Sequence, residues 1–514
     1  MLHCPPSARL RALRLALGGL ILSTLAGTSL ARTAAPVTAL PSPVSQALQQ
    51  AKVPLEALSV IVAPLPPAPG AVNPRPEPVN PSGNANAQPA PWTMPAPRLN
   101  WQPDVPRNPA SVMKLVTTYA GLDLLGSSYL WRTRVYVDGP IQDGVLNGNL
   151  ILRGGGDPKL VIERLQDLLA HVMEKGVRVI RGDIILDNSV FTLPAHDPAA
   201  FDDEPLRPYN AAPDGLLMNF KSLVFRFVPD GQGQALVYTT PPLAGLAVTP
   251  RVPLNRNGCG VWQTGLQADF QDPLNIRFNG SYPAACGERE WAVAYADPAH
   301  FSARMVEGVW RQAGGALLGQ TRYARVPAGA KVLVTGTSIP LVSVIADINK
   351  FSNNVMAQQL FLTLSSAGDA RGSFTESRNR LAGWWRQQFG LRPAPKVDNG
   401  SGLSRDERIT AASLTALLQH AAQGRNASAF MESLSIAGVD GTTARMRARN
   451  PNSAALGNAR LKTGTLRDVT AIAGYAYGHS GQVYTVVAII NHPNAPAARA
   501  ALDRVVDWAV RDAS

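Results

Sequence analysis

Cysteine is almost absent, at 3 in 514 residues. That excludes a disulfide-dense scaffold and a thiolate-rich metal centre. Histidine is nearly as scarce, at 7. His479 falls in a Gly-bounded turn and His492 follows a β-rich run, and neither has a partner at metal-ligand spacing. No metal or other cofactor is therefore expected. Aromatic residues make up only 6% of the chain, and none interleave with a basic cluster, which argues against a nucleic-acid partner. Long apolar runs are missing too. Leu15 to Leu25 is too short to span a bilayer comfortably, and no later segment is longer. Acidic residues are outnumbered, 36 against 48 Lys and Arg, so the formal charge is +12. What is present is length: 514 residues suffice for three domains and a sizeable core.

The N-terminus reads as an export signal. Arg9, Arg11 and Arg14 precede the apolar run, and Ser29-Leu30-Ala31 suits a cleavage site, so residues 1–31 are assigned to it. Cys4 precedes the apolar run and does not read as a lipid-modified cysteine. Cleavage removes it with three Arg, which lowers the charge from +12 to about +9 (12 − 3). The product would be secreted, into the periplasm if the source is a Gram-negative bacterium. Cys259 and Cys286 then remain in an oxidising compartment, where a disulfide is expected over free thiols. Closing that loop is worth about 3 kcal/mol in the chain-entropy treatment. A Pro-rich stretch, residues 64–95, has little to bury and reads as a mobile linker. It interrupts a hairpin between Leu58-Ser59-Val60-Ile61-Val62 and Arg98-Leu99-Asn100-Trp101.

Three strings far apart carry the chemistry. The first is Ser111-Val112-Met113-Lys114. Pro109 suits a helix start, and Leu115, Val116, Tyr119, Leu122 and Leu125 recur at helical spacing up to Gly126. A helix over 111–125 would put Ser111 and Lys114 on one face. A serine needs an adjacent base to attack, and a lysine is one when burial or a nearby cation keeps it neutral. The bland alternative is a surface helix. The second string, Ser352-Asn353-Asn354, leads into an apolar helical run through Val355, Leu360, Phe361 and Leu364. Simple helix capping is its alternative. The third, Lys462-Thr463-Gly464-Thr465, opens a β pattern: Thr470 to Tyr477, a turn at Gly478 to Gly481, then Val483 to Ile490. Here the alternative is an exposed turn. Lys462 to Thr465 is expected to form an edge strand, with Gly464 allowing close backbone approach.

Together and in this order, the three strings resemble the signature of penicillin-reactive serine enzymes. The chain is most similar to low-molecular-mass D-alanyl-D-alanine carboxypeptidases/endopeptidases of the class C penicillin-binding proteins. The likeness extends to Arg153-Gly154-Gly155-Gly156-Asp157-Pro158-Lys159-Leu160, to Gly182 through Phe191, and to Asn399-Gly400-Ser401-Gly402-Leu403-Ser404-Arg405. It runs from about residue 105 to near the C-terminus. The spacing between Lys114 and Ser352, 352 − 114 = 238 positions, is far longer than in a simple β-lactamase.

The resemblance implies an α/β (α+β) fold: a transpeptidase-like domain with an antiparallel sheet, flanking helices and a helical lobe, and a large strand-rich insertion. The expected divisions are 36–135 and 337–514 for that domain, with one or two nested inserted domains at 136–336. It implies a catalytic set of Ser111, Lys114, Ser352, Asn354 and Lys462. Thr463, Gly464 and Thr465 would bind the substrate's terminal carboxylate region. Glu204 (or Asp203), Tyr209, Arg405 and Arg467 would hold a diaminopimelate side chain. The implied partners are peptidoglycan stem peptides and β-lactams, and the positive charge adds anionic lipid, hence peripheral membrane association. Asn353 and Asn399 stand where relatives often carry Asp, and Gln358 replaces an acidic residue. Two other readings stay open: a β-lactamase or esterase of the same fold, and a non-catalytic murein-binding scaffold.

Overall fold

Leu58 to Val62 is apolar at nearly every position because its sheet is covered on both faces. In the computed structural model, which describes residues 39–66, 96–366 and 370–512, six strands form that sheet. They are β1 (Leu58–Pro64), β2 (Leu99–Trp101), β3 (Ser435–Ile436), β4 (Ala459–Leu466), β5 (Val469–Tyr477) and β6 (Val483–Asn491). The order is β2-β1-β6-β5-β4-β3, and every pairing is antiparallel. The β1–β2 pair is the hairpin expected around the Pro-rich stretch. That stretch falls largely on residues 67–95, which with the export segment lie outside the described residues.

Alternation assigns the two faces. Leu58, Val60, Val62, Ile472, Val486, Ala488 and Ile490 form one core with helix α1 (Ser42–Gln50) and the C-terminal helix, Arg499–Val510. Ile61, Ala473, Tyr475, Val487 and Ile489 form the other, against the helical lobe. The lobe comprises α2 (Lys114–Leu125), α3 (Leu341–Phe351), α4 (Asn354–Thr363), α5 (Phe374–Phe389) and α6 (Ala411–Gln423). Helix α2 is buried from Lys114 to Leu122, as a central helix must be, and so has almost no polar face.

Between α2 and α3 the chain runs through a strand-rich region. Arg132–Val137, Leu150–Arg153, Ile184–Asp187, Thr321–Tyr323 and Lys331–Thr337 form one five-stranded sheet. Ser222–Pro229, Gln234–Thr240, Arg251–Asn255, Tyr282–Pro283 and Arg289–Ala294 form a second. The second sheet's strands lie, in sequence, between those of the first. One hydrophobic cluster, including Leu152, Leu165, Leu186, Phe225, Phe227 and Trp310, joins both. Cys259 and Cys286 form the disulfide there.

The insertion is tied to the lobe by polar groups. Gln359 of α4 donates to the carbonyls of Gly156 (3.2 Å) and Asp214 (2.9 Å), and Lys159 pairs with Asp347 of α3 at 2.6 Å. Tyr209 lies beside the N-terminus of α4, where its carbonyl accepts from Asn354.

Candidate active site

Ser111 lies one turn earlier than an ideal α-helix would begin. Ala110–Met113 is a 3₁₀ turn, and the α-helix starts at Lys114. The helix expected over 111–125 is there, with its first turn 3₁₀ and the rest α, because an i,i+3 pair suits both geometries. The difference matters, since at three residues per turn positions i and i+3 eclipse. Ser111 Oγ and Lys114 Nζ are accordingly 3.0 Å apart.

Lys114 is fully buried. Its Nζ donates to Asn354 Oδ1 (2.6 Å) and to the Ser401 carbonyl. The Asn354 amide is oriented by Nδ2 donating to the Tyr209 carbonyl at 3.2 Å. A neutral amine has two hydrogens and one lone pair. Two acceptors that cannot donate would take both hydrogens of that neutral form, which would turn its lone pair toward the Ser111 hydroxyl. Burial is the main force that pushes the Lys114 ammonium well below its usual range, and repulsion from Lys462 adds to it. Glu407 opposes both.

Lys462 is also fully buried, and burial pushes it down to about 7. It donates to Ser352 Oγ (3.0 Å) and to the Thr463 carbonyl (2.8 Å). Ser352 is the link between α3 and α4 and sits at φ 58°, a left-handed conformation that costs a non-glycine residue about 1–2 kcal/mol. That turn points Ser352 at Lys462 and Asn354 at Lys114. Asn353, between them, caps α4 by accepting from the Met356 N–H at 3.0 Å. Capping therefore explains the middle residue of the triplet and leaves the outer two for the cleft.

Among the described residues the backbone of strand β4 is partnered on its outer side at Ala459 to Leu461, by β3 and Ala437, so Lys462 to Leu466 present an open edge. Gly464 faces the nucleophile: a Cβ there would lie 2.4 Å from the Pro109 carbonyl oxygen and 3.1 Å from Ser111 N. Gly402 does the same from the other side, at φ +80°, with Ala110 O 2.0 Å from an added Cβ. Asn108 joins the two loops by accepting from Ala110 N (2.8 Å) and donating to the Ser404 carbonyl (2.8 Å). Thr463 donates to Thr442 Oγ1 at 2.8 Å. Thr465 accepts from Arg499 at 3.0 Å, which leaves its own hydroxyl hydrogen free.

A cleft of about 500 Å³ opens over these groups. Ser111, Ser352, Asn354 and Thr465 line one part of it, and Phe201, Asp202, Glu204, Tyr209, Arg405 and Arg467 the other. Thr463 is not among its lining residues. Within the acidic run, Asp202 accepts from the Tyr209 hydroxyl (2.9 Å) and Asn210 Nδ2 (2.7 Å). Glu204 pairs instead with Arg207 at 3.1 Å, and Asp203 does not line the cleft. Arg405 pairs with Asp468 at 3.0 Å and lies over the Phe201 ring at 4.5 Å. Sequence reasoning missed Asp202, Phe201, Arg499 and the Ser401 carbonyl. Nothing in the acidic run distinguishes Asp202 from its neighbours, and a backbone oxygen leaves no trace in sequence. Among the described residues no cluster of His, Cys, Asp or Glu could hold a metal.

Fold and cleft together define a serine acyl-transfer enzyme. Comparison with known proteins agrees. The profile of the D-Ala-D-Ala carboxypeptidase 3 (S13) family matches residues 96–511. A D-alanyl-D-alanine carboxypeptidase from Actinomadura sp. (strain R39) is 30% identical over 427 residues, covering 77% of this chain and 76% of its own. D-alanyl-D-alanine carboxypeptidase DacB of Haemophilus influenzae is 26% identical over 390 residues, 74% and 80% of the two chains. The crystal structure of penicillin binding protein 4 (dacB) from Haemophilus influenzae shares the fold, with a TM-score of 0.67 and 22% identity over 90% of this chain and 97% of that one. That protein has also been crystallised with a β-lactam. The chain belongs to the D-Ala-D-Ala carboxypeptidase 3 (S13) family, and it is a serine DD-peptidase.

Proposed function

We propose that Ser111 is the nucleophile and that neutral Lys114 takes its proton as Ser111 attacks the carbonyl of a D-Ala–X bond. The observation that carries this is the Lys114 amine, fully buried and 3.0 Å from Ser111 Oγ, whose two other contacts, Asn354 Oδ1 and the Ser401 carbonyl, can only accept. Backbone N–H groups of Ser111 and Thr465 form the oxyanion hole, and losing one such donor would cost about 3 kcal/mol of barrier. Ser352, held by Lys462, hands a proton to the leaving amine. Asn354 also bonds the substrate amide. Thr465 donates to the terminal carboxylate, with Gly464 allowing the approach and Thr463 supporting the strand. Water then releases the acyl group, while a β-lactam would acylate Ser111 and leave slowly.

The second part of the cleft holds the stem peptide's third side chain. Asp202, Glu204 and Tyr209 face its ammonium end, and Arg405 and Arg467 its carboxylate. A free D-Ala makes the reaction a carboxypeptidase; a cross-linked diaminopimelate makes it an endopeptidase. Peptidoglycan lies outside the cytoplasmic membrane, so the working compartment is the periplasm, entered through the export segment. The positive charge supports peripheral association with anionic lipid. Among the described residues no helix is long and apolar enough to cross a membrane. The test is chromatography of a pentapeptide muropeptide and a cross-linked dimer after incubation with the protein. Release of D-Ala or cleavage of the dimer, lost in Ser111→Ala, supports the proposal; both substrates left intact by the wild type refutes it.

A further inference from the structure

Glu407 is fully buried, and the mechanism above gives it no task. One carboxylate oxygen accepts from three successive backbone N–H groups, Asp398 (3.0 Å), Asn399 (3.2 Å) and Gly400 (3.2 Å). The other has no hydrogen-bond partner among the described residues. Glu407 does not line the cleft, so it cannot activate the water that releases the acyl group.

The turn it holds continues directly into the base. Gly400 O accepts from Thr117 of α2 at 2.6 Å. Asn399 Oδ1 accepts from both the Ser401 N–H (2.9 Å) and its hydroxyl (2.7 Å). The Ser401 carbonyl, fixed by these bonds, takes one of the two Lys114 hydrogens. If that carbonyl turned away, Lys114 could rotate its lone pair off Ser111.

We propose that Glu407 is a positioning residue for the base: it clamps the turn at 398–400 so that Ser401 O meets Lys114, and its negative charge balances Lys462 across Lys114. The inference rests on the reading of Lys114 as base. The charged groups facing Lys114 are Lys462 from β4 and Glu407 from the turn, and those facing Glu407 are Lys114 and Asp398. Burial pushes the Glu407 carboxyl up to about 7, so its charge changes within the working range. An ionised Glu407 raises Lys114, and its loss lowers it.

The test is the rate of Ser111 acylation by penicillin across pH, in wild type, Glu407→Gln and Glu407→Ala. Glutamine keeps a carbonyl oxygen for the three N–H groups but has no charge. Below about pH 7 Glu407 is itself protonated, so the acid limb should stay in place, while the alkaline limb, where the charge that supports the Lys462 cation is now missing, should move to lower pH by about half a unit to one unit. Glu407→Ala leaves the turn unheld and should acylate roughly tenfold more slowly or worse at every pH. A Glu407→Gln alkaline limb at the wild-type position overturns the electrostatic role. A folded Glu407→Ala with the wild-type rate overturns the clamp. Where Glu407→Ala does not fold, Glu407→Gln decides. Wild-type acylation at Ser111 is the internal control: its absence would sink the assignment of the nucleophile instead.

Discussion

Replacing Asn354 by Asp would put a carboxylate oxygen where Oδ1 now stands, 2.6 Å from Lys114 Nζ. The two side chains have the same shape, so the change is chiefly one of charge. At an effective dielectric of about 20, two unit charges at that distance attract by about 6 kcal/mol. Burying the new carboxylate offsets much of this, because Asn354 is only 6% exposed. An opposite charge this close usually leaves a net rise of ~1–3 pH units in the partner. Lys114 would then hold its proton to correspondingly higher pH, and acylation at a fixed pH on the limb should fall ~10- to 1000-fold. Stopped-flow acylation by a chromogenic β-lactam, from about pH 5 to about pH 10, reads this directly. Asn354→Ala controls for the lost contact and should slow acylation without moving the limb to alkaline pH. An Asn354→Asp limb that stays at the wild-type pH would refute a neutral Lys114 as base.

Lys462, pushed down to about 7 by burial, should give kcat/KM an alkaline limb near that pH as its cation is lost. A substrate carboxylate bound at Thr465, on the same strand, favours the cation, so the limb in kcat should lie at higher pH, and coincident limbs would argue against the carboxylate binding there. Gly464→Ala sets a methyl 2.4 Å from the Pro109 oxygen, so the strand must retreat. Acylation should drop about 100-fold with the fold retained, as for a displacement near 1 Å, and a near-normal rate would show that the approach is not critical. Removing the disulfide with Cys259→Ser and Cys286→Ser should destabilise the insertion by about 3 kcal/mol in urea titration while Ser111 acylates at the wild-type rate. A loss of acylation in that double variant would tie the disulfide to the catalytic centre.

Legibility in the sequence followed the physics of each element. The β5–β6 hairpin was readable because its strands are rich in β-branched and aromatic residues and its turn is bounded by Gly478 and Gly481. The hairpin around the Pro-rich stretch was readable from the β-branched run at Val60 to Val62 and the short Leu99–Trp101 segment beyond it. Ser111, Lys114, Ser352 and Lys462 could be picked out because each needs its own side chain at a set spacing. The 3₁₀ turn at Ala110–Met113 could not, since apolar spacing does not separate it from an α-helix over one turn. Asp202 was lost among three successive acids, and only the fold shows that Tyr209 and Asn210 meet it. The Ser401 carbonyl and the clamp at Glu407 were out of reach, because they are backbone contacts made across the packed loop.

The most direct test of Ser111 as nucleophile is mass spectrometry of the mature protein after a short exposure to penicillin, with peptide mapping and a Ser111→Ala control. One penicilloyl adduct on the peptide that contains Ser111, absent from the variant, is the expected result. An adduct elsewhere, or none with the penicillin left intact, would contradict it, and penicillin consumed without an adduct would point to a β-lactamase.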